Sequence, residues 1–234
     1  TTGLRWYETY DPRQLVQRLI QRDAPVASEE KTVTVMFTDI AGFSTLSEHM
    51  PAAETAALLN AHFTILADCI EAEHGTVDKY IGDSVMAFWE PDGDGEDVDR
   101  AIRAASEIRR RIRADNRTRA GRGDGRISVR IGIHTGTAIV GNIGAPGRVS
   151  YTLVGDTVNV AARLEQLCKE LTTDADAVIL VSGDTAALAR RPLGLTPRGS
   201  FALRGRDGEI EAFSLDLGWE AGPAPEPDTG RDAV

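Results

Sequence analysis

The chain has 234 residues, 41% hydrophobic and 26% charged, enough apolar side chain for one sizeable core plus flanking pieces. Its 36 acidic residues against 26 basic ones leave a formal net charge of −10, which argues against a nucleic-acid backbone as the main ligand, since that partner needs clustered Lys and Arg. No apolar run approaches the roughly eighteen residues of a membrane span, and the N-terminus (TTGLRWYETYDP) has neither a basic leader nor an apolar stretch after it. The expectation is a cytoplasmic domain without membrane contact or nucleic-acid partner, whether or not it belongs to a longer, membrane-anchored or multidomain protein.

In chain order, residues 1–30 read as a linker helix and connector: an amphipathic helix after Pro12 carries Leu15, Val16, Leu19 and Ile20 on one side. A strand at 32–38 alternates Val33, Val35 and Phe37 and delivers Asp39 to the mouth of a glycine-containing turn. A helix over 53–74 keeps Leu58, Leu59, Phe63, Leu66, Cys69 and Ile70 in helical spacing until Gly75 ends it. Residues 76–89 read as a hairpin turning at Gly82-Asp83, so a second carboxylate, Asp83, sits where strands end. Two carboxylates presented this way suggest a shared Mg²⁺ or Mn²⁺ site.

The acidic loop PDGDGED fails as a calcium hand. With Asp92 first, its sixth and twelfth places hold Asp97 and Arg103, not the required Gly and Glu. A helix over 98–113 leads into a Gly/Arg-rich loop. Strands follow at 127–133 and 137–143, then a helix at 157–171, a strand at 177–182, a short helix near 184–190, and strand-like runs at 199–204 and 210–216. Interleaved helices and hairpins imply an α+β fold with a mixed sheet. The Pro-rich acidic tail, 218–234, reads as disordered. Cys69 and Cys168 lie in apolar helical patterns, which fits core packing in a reducing compartment.

On the helix at 157–171, Val160, Leu164, Leu167 and Leu171 make an apolar row, while Asn159, Arg163, Gln166 and Glu170 make the adjoining polar row. Asn159 and Arg163 therefore project from one face, one turn apart. The run YTLVGDTVNVAARLE, taken with FTDIAGFS, DKYIGDSVMAFW and IGIHTGTAIVGNIG, resembles the catalytic domain of the class III nucleotidyl cyclases, the adenylyl and guanylyl cyclases. The resemblance covers roughly residues 31–216, with four motifs in order, and the catalytic domain is expected over 31–217.

What the resemblance implies is specific. The fold would be a mixed β-sheet with a ferredoxin-like βαββαβ core flanked by helices. Asp39 and Asp83 match the family's metal-binding aspartates, with the Ile40 carbonyl as a further ligand, for two Mg²⁺ or Mn²⁺ ions. The implied reaction is in-line attack of the ribose 3′-oxygen of ATP on the α-phosphorus, giving cyclic AMP and pyrophosphate; Asp39, solvent and a substrate phosphate are the candidate proton acceptors. Asn159 and Arg163 match residues that orient the ribose and stabilise the transition state, where the always-charged fork of Arg suits phosphate oxygens. Arg204, then Arg206, in FALRGRDGEIEAFSL match the cation that holds the terminal phosphates, and Arg148 is a further phosphate candidate.

Base choice is implied by two positions. Lys79, four before Asp83, occupies the purine-selecting place; a Lys donates to adenine N1, whereas guanine N1–H wants an acceptor such as Glu. Thr152 stands where many animal enzymes have Asp, resembles the bacterial and soluble subclass, and can accept from the adenine amino group. That subclass includes bicarbonate-responsive enzymes, so bicarbonate is an expected effector. The family splits metal binding and base reading between two chains, which implies a head-to-tail homodimer with two shared sites and an inactive monomer. The rivals are a guanylyl cyclase and a non-catalytic nucleotide-binding regulatory domain; a P-loop phosphotransferase lacks its GxxxxGK[ST]. His134 reads as structural.

Overall fold

The alternation from Thr32 to Thr38 builds the central strand of the fold, β1 (Glu29–Ile40), in a computed structural model that describes residues 28–145, 148–171, 175–190, 194–202 and 209–216. It begins inside the segment expected to be connector. After β1 come α1 (Phe43–Glu48), α2 (Ala52–Ala72), the hairpin β2 (Thr76–Ile81) and β3 (Ser84–Trp89), and α3 (Asp97–Arg122). Then follow β4 (Val129–Ala145), β5 (Arg148–Val154), α4 (Asp156–Leu167) with a 3₁₀ turn over Cys168–Glu170, β6 (Ala177–Ser182), α5 (Gly183–Leu188), β7 (Leu195–Ala202) and β8 (Glu209–Leu215). The helix expected before residue 23 and the tail from 218 lie outside the described residues.

The sheet runs β2-β3-β1-β4-β6-β8-β7, with β5 paired to β4 off this path. Strands β1 to β4, linked through α2 and α3, pair antiparallel throughout in the order β2-β3-β1-β4. This is the ferredoxin-like βαββαβ core. The pair β4·β6 is parallel, joined through α4, and makes the sheet mixed as expected.

Alternation on β1 sends successive side chains to opposite faces. Met36 and Ile40 join Val85, Ala87, Trp89, Ile131 and Ile133 in a core covered by α2, through Leu58, Leu66 and Ile70, and by α3, through Ile102, Ile108 and Ile112. Val33 and Val35 face the other way, with Met86, Phe88, Leu153 of β5 and Ala161 of α4. Complete burial of a Val, Leu, Ile, Phe or Met side chain is worth about 1.5–3 kcal/mol. α2 ends at Ala72, and His74 just past it takes the left-handed conformation, φ 60°; Gly75 follows where no Cβ fits, since one would stand 2.5 Å from Trp89 Cε2.

Several elements differ from expectation, among them α1, which was not foreseen, and β7, which begins at Leu195 and not at 199. α3 continues nine residues past 113, because acidic Asp97 and Asp99 open it, basic Arg119 and Arg122 close it, and Gly123, with φ 79°, caps it. Its Asn116 bonds the Ile127 backbone on both sides, Nδ2 donating to the carbonyl at 2.7 Å and Oδ1 accepting from the amide at 2.8 Å. The two strands expected at 127–133 and 137–143 are one strand, β4; between them Gly136 makes room for Thr157, whose Oγ1 would lie 2.7 Å from a Cβ. β5 was not expected as a strand.

Candidate functional site

The β1–β4 register places Asp39 opposite Arg130, and the β1–β3 register places Thr38 opposite Val85, which brings the Gly82-Asp83 turn beside Ile40. The Ile40 amide donates to Asp83 Oδ2 at 3.1 Å. Gly82 takes φ 63°, the left-handed conformation that this tight turn requires. Arg130 Nη2 donates to Asp39 Oδ2 and, at 3.4 Å, to the Ile40 carbonyl. Its Nε stands 3.4 Å from Glu165 Oε1 of α4, an ion pair without hydrogen-bond geometry.

The electrostatics follow from this crowding. Burial first, then hydrogen bonding and the negative charge of Asp39, push the Asp83 carboxyl up to about 6. Burial and then Asp39 push Glu165 up to about 7, against the pull of Arg130 and Lys169. His62 of α2 is buried and pushed down to about 4 by burial, opposed by Asp39.

Oxygen donors thus meet at one end of the sheet, and a guanidinium nitrogen already bridges two of them. A hard divalent cation takes that donor type, so the residues present fit one. No group of three or more His, Cys, Asp or Glu side chains could hold a metal among the described residues. The Ile40 carbonyl and oxygens from outside the chain would complete the coordination.

A second cluster forms around an aspartate that the sequence reading passed over. The β2–β3 ladder pairs Val77 with Ala87 and Lys79 with Met86, leaving Asp78 as the extra residue of a β-bulge. A bulge bends its strand and re-aims a side chain. The Asp78 carboxylate, 1% exposed, accepts from Thr152 Oγ1 of β5 at 2.8 Å and lies 3.3 Å from Lys79 Nζ at the same oxygen. Burial pushes Asp78 up, while Thr152 and then Lys79 pull it down. Beside it, Tyr151 Oη donates to Glu90 Oε1 at 2.8 Å, so β5 is tied to the β2–β3 hairpin at two points.

On α4, Asn159 is exposed and Arg163 half-buried, with its buried Nη1 making no hydrogen bond among the described residues. Val160 and Leu164 are buried as the apolar row requires. The helix lies close on β4 because Gly132 has no side chain: a Cβ there would stand 2.2 Å from the Glu165 amide nitrogen. Arg148 opens β5, opposite Ala145. Arg204 and Arg206 lie outside the described residues. His134 is buried and its Nδ1 pairs with Ser182 Oγ at 2.8 Å. Cys69 and Cys168 are buried free thiols, each pushed up to about 12 by burial.

The structure therefore brings Asp39, Ile40 and Asp83 together, and brings Lys79 and Thr152 together through Asp78. Asp78, Arg130 and Glu165 were missed. Arg130 was the most findable, as a charged side chain between the apolar Val129 and Ile131 of a strand.

The profile of the family described as "Adenylate and Guanylate cyclase catalytic domain" matches residues 26–216. Adenylate cyclase 1 of Rhizobium meliloti (strain 1021) is 35% identical over 212 residues, 89% of this chain and 31% of its own length. An adenylate cyclase of Anabaena cylindrica is 37% identical over 148 residues, 62% of this chain and 29% of its own. The chain spans about a third of the length of these curated relatives. Among solved structures, the adenylyl cyclase CyaB from P. aeruginosa matches with TM-score 0.74 and 30% identity over 81% of this chain and 96% of that one. The guanylyl cyclase Cya2 matches with TM-score 0.70 and 27% identity over 82% and 94%. With a profile match over residues 26–216 and a relative 35% identical over 89% of its length, the chain belongs to the adenylate and guanylate cyclase catalytic domain family.

Proposed function

We propose that the chain is an adenylyl cyclase domain that converts ATP to 3′,5′-cyclic AMP and pyrophosphate. The observation that carries the choice of base is the pairing of Lys79 and Thr152 on one buried carboxylate. A Lys ammonium can only donate, which suits the bare N1 of adenine and not the N1–H of guanine. A Glu at this place would reverse that preference. The names of the relatives, both adenylate cyclases, point the same way.

Asp39, Asp83 and the Ile40 carbonyl would hold Mg²⁺ or Mn²⁺. When bound, such ions supply acidification of the ribose 3′-hydroxyl and neutralisation of triphosphate charge. In the reaction the 3′-oxygen forms a bond to the α-phosphorus, the bond from that phosphorus to the oxygen bridging to the β-phosphate breaks so that pyrophosphate leaves, and the 3′-hydroxyl proton passes to Asp39, solvent or a substrate phosphate. Asn159 orients the ribose. Arg163, charged at any working pH, stabilises the oxygens of the five-coordinate phosphorus. Arg148, Arg204 and Arg206 are the cations offered to the phosphates.

The site would be shared between two copies. Arg163 carries a buried nitrogen without a hydrogen bond in the single chain. Tyr80 and Ile81 of β2 and Val149 and Val154 of β5 leave about half their surface exposed, an apolar area on the elements that hold the base-reading cluster. A head-to-tail homodimer would cover it. Lys79→Glu tests the base assignment: ATP turnover falls at least tenfold and GTP becomes a substrate. An unchanged ATP to GTP ratio would remove Lys79 from base reading.

A further inference from the structure

Three facts meet at Asp78. It is the extra residue of the β2 bulge, so its side chain is turned out of the alternation that governs its neighbours. Its carboxylate is 1% exposed, beside a Lys79 side chain that is 47% exposed. And one of its oxygens receives both the Thr152 hydroxyl at 2.8 Å and the Lys79 ammonium at 3.3 Å. A bulge, a buried acid and a shared acceptor oxygen form a built feature that a solvated surface carboxylate does not have.

The chemical consequence lies in the hydroxyl. A threonine has one hydrogen to donate and two lone pairs, and rotation about its C–O bond normally lets it choose its role. An ionised carboxylate can only accept. Once the Thr152 hydrogen is committed to Asp78, only lone pairs remain for anything that enters from the other side. Lys79, held on the same oxygen, has only hydrogens to offer. The pair then presents one fixed pattern, acceptor at Thr152 and donor at Lys79.

We infer that Asp78 is a specificity-determining positioning residue: by taking the Thr152 hydrogen and anchoring Lys79, it sets the pocket to accept from an exocyclic amino group and donate to a bare ring nitrogen. This inference rests on the reading of the chain as an ATP cyclase. Adenine matches both halves through its amino group and N1. Guanine mismatches both: its O6 meets lone pairs and its N1–H meets an ammonium. A site built on committed hydrogen bonds rejects the mispaired ligand more strongly than an adaptable one, because the mispaired polar groups stay buried and unsatisfied. Asp78 touches no substrate atom in this account; it acts through Thr152.

The test compares specificity constants of the chain, with saturating Mn²⁺, for ATP, GTP and 6-methoxypurine riboside triphosphate, which keeps the N1 acceptor but has no donor at position 6. Wild type should use the methoxy analogue at least tenfold less well than ATP. Asp78→Ala frees the Thr152 hydroxyl to turn and donate, so both the ATP to GTP ratio and the ATP to analogue ratio should fall at least tenfold. Asp78→Asn, which keeps an acceptor oxygen at the same place, should recover most of both. Lost packing alone lowers turnover of every substrate and leaves the ratios in place. A folded Asp78→Ala chain with unchanged ratios overturns the inference. If that variant does not fold, wild type alone decides, since equal use of ATP and the methoxy analogue means that Thr152 is free to donate. A wild-type chain that forms no cyclic nucleotide from any of the three overturns the cyclase reading itself, an outcome distinct from activity with unchanged ratios.

Discussion

Arg130 stands directly across the β1–β4 ladder from Asp39, and its guanidinium reaches both Asp39 Oδ2 and the Ile40 carbonyl. The protein's own cation thus sits where the candidate metal ligands converge. It also faces Glu165 of α4, so one arginine neutralises two carboxylates that burial would otherwise penalise.

Removing that charge should be costly without metal. Arg130→Gln leaves Asp39 and Glu165 without their cation, and breaking a buried pair this way costs roughly 3–5 kcal/mol, here toward the low end because the side chains keep 10–16% exposure. Urea unfolding should show the loss in metal-free protein, with saturating Mn²⁺ restoring part of it through binding to the folded state. An unchanged midpoint would show that Arg130 is not the counter-ion of this cluster.

The raised Asp83 carboxyl gives a pH dependence of definite sign. Its folded pKa, about 6, lies above the usual 3.8, so folding favours the proton. That contribution to metal-free stability is complete below about pH 4 and is lost as pH rises through about 6. A divalent cation competes with the same proton. Calorimetric titration with Mn²⁺ should therefore give tighter binding at pH 7.5 than at pH 5.5, and Asp83→Asn should weaken binding and flatten the difference. Equal wild-type affinities at the two pH values would contradict the assignment.

Gly132 tests the packing that positions α4. A Cβ at this residue would lie 2.2 Å from the Glu165 amide nitrogen and 2.4 Å from the Ala161 carbonyl oxygen, backbone atoms that cannot swing aside. Overpacking of this kind costs about 1–3 kcal/mol. Gly132→Ala should lower the melting temperature and also turnover, because the same helix carries Asn159 and Arg163. A variant as stable as wild type would mean that α4 can lift from β4 without loss.

How much of this was legible beforehand depended on whether a residue obeyed its local pattern. The strand β1, the Gly82-Asp83 turn and the buried row of α4 announce themselves through alternation, a turn glycine and helical spacing, whereas the βαββαβ order was implied by the family resemblance and not by any local pattern. β5 does not announce itself, because its burial follows no alternation: Val149 and Val154 are exposed while the neighbours Thr152 and Leu153 are both buried. The end of α3 was misread because its last turns, DNRTRAGR, are polar and are held by Asn116 and by charges at the helix end. Asp78, Arg130 and Glu165 stayed hidden for a related reason. Each is a charged residue whose partner is distant in sequence, Thr152 for Asp78, Asp39 for Arg130 and Arg130 for Glu165.

The shared site is the central claim, and mixing two dead variants tests it most directly. Asp39→Ala disables the metal half of a chain and Arg163→Ala its transition-state half, so each homodimer should be inactive. After subunit exchange, half the dimers are mixed, and each mixed dimer has one site built from two intact halves. The account predicts recovery of about one quarter of wild-type cyclic AMP formation, as expected for a two-fold dimer with statistical exchange. No recovery, with exchange verified by differently tagged chains, would contradict it.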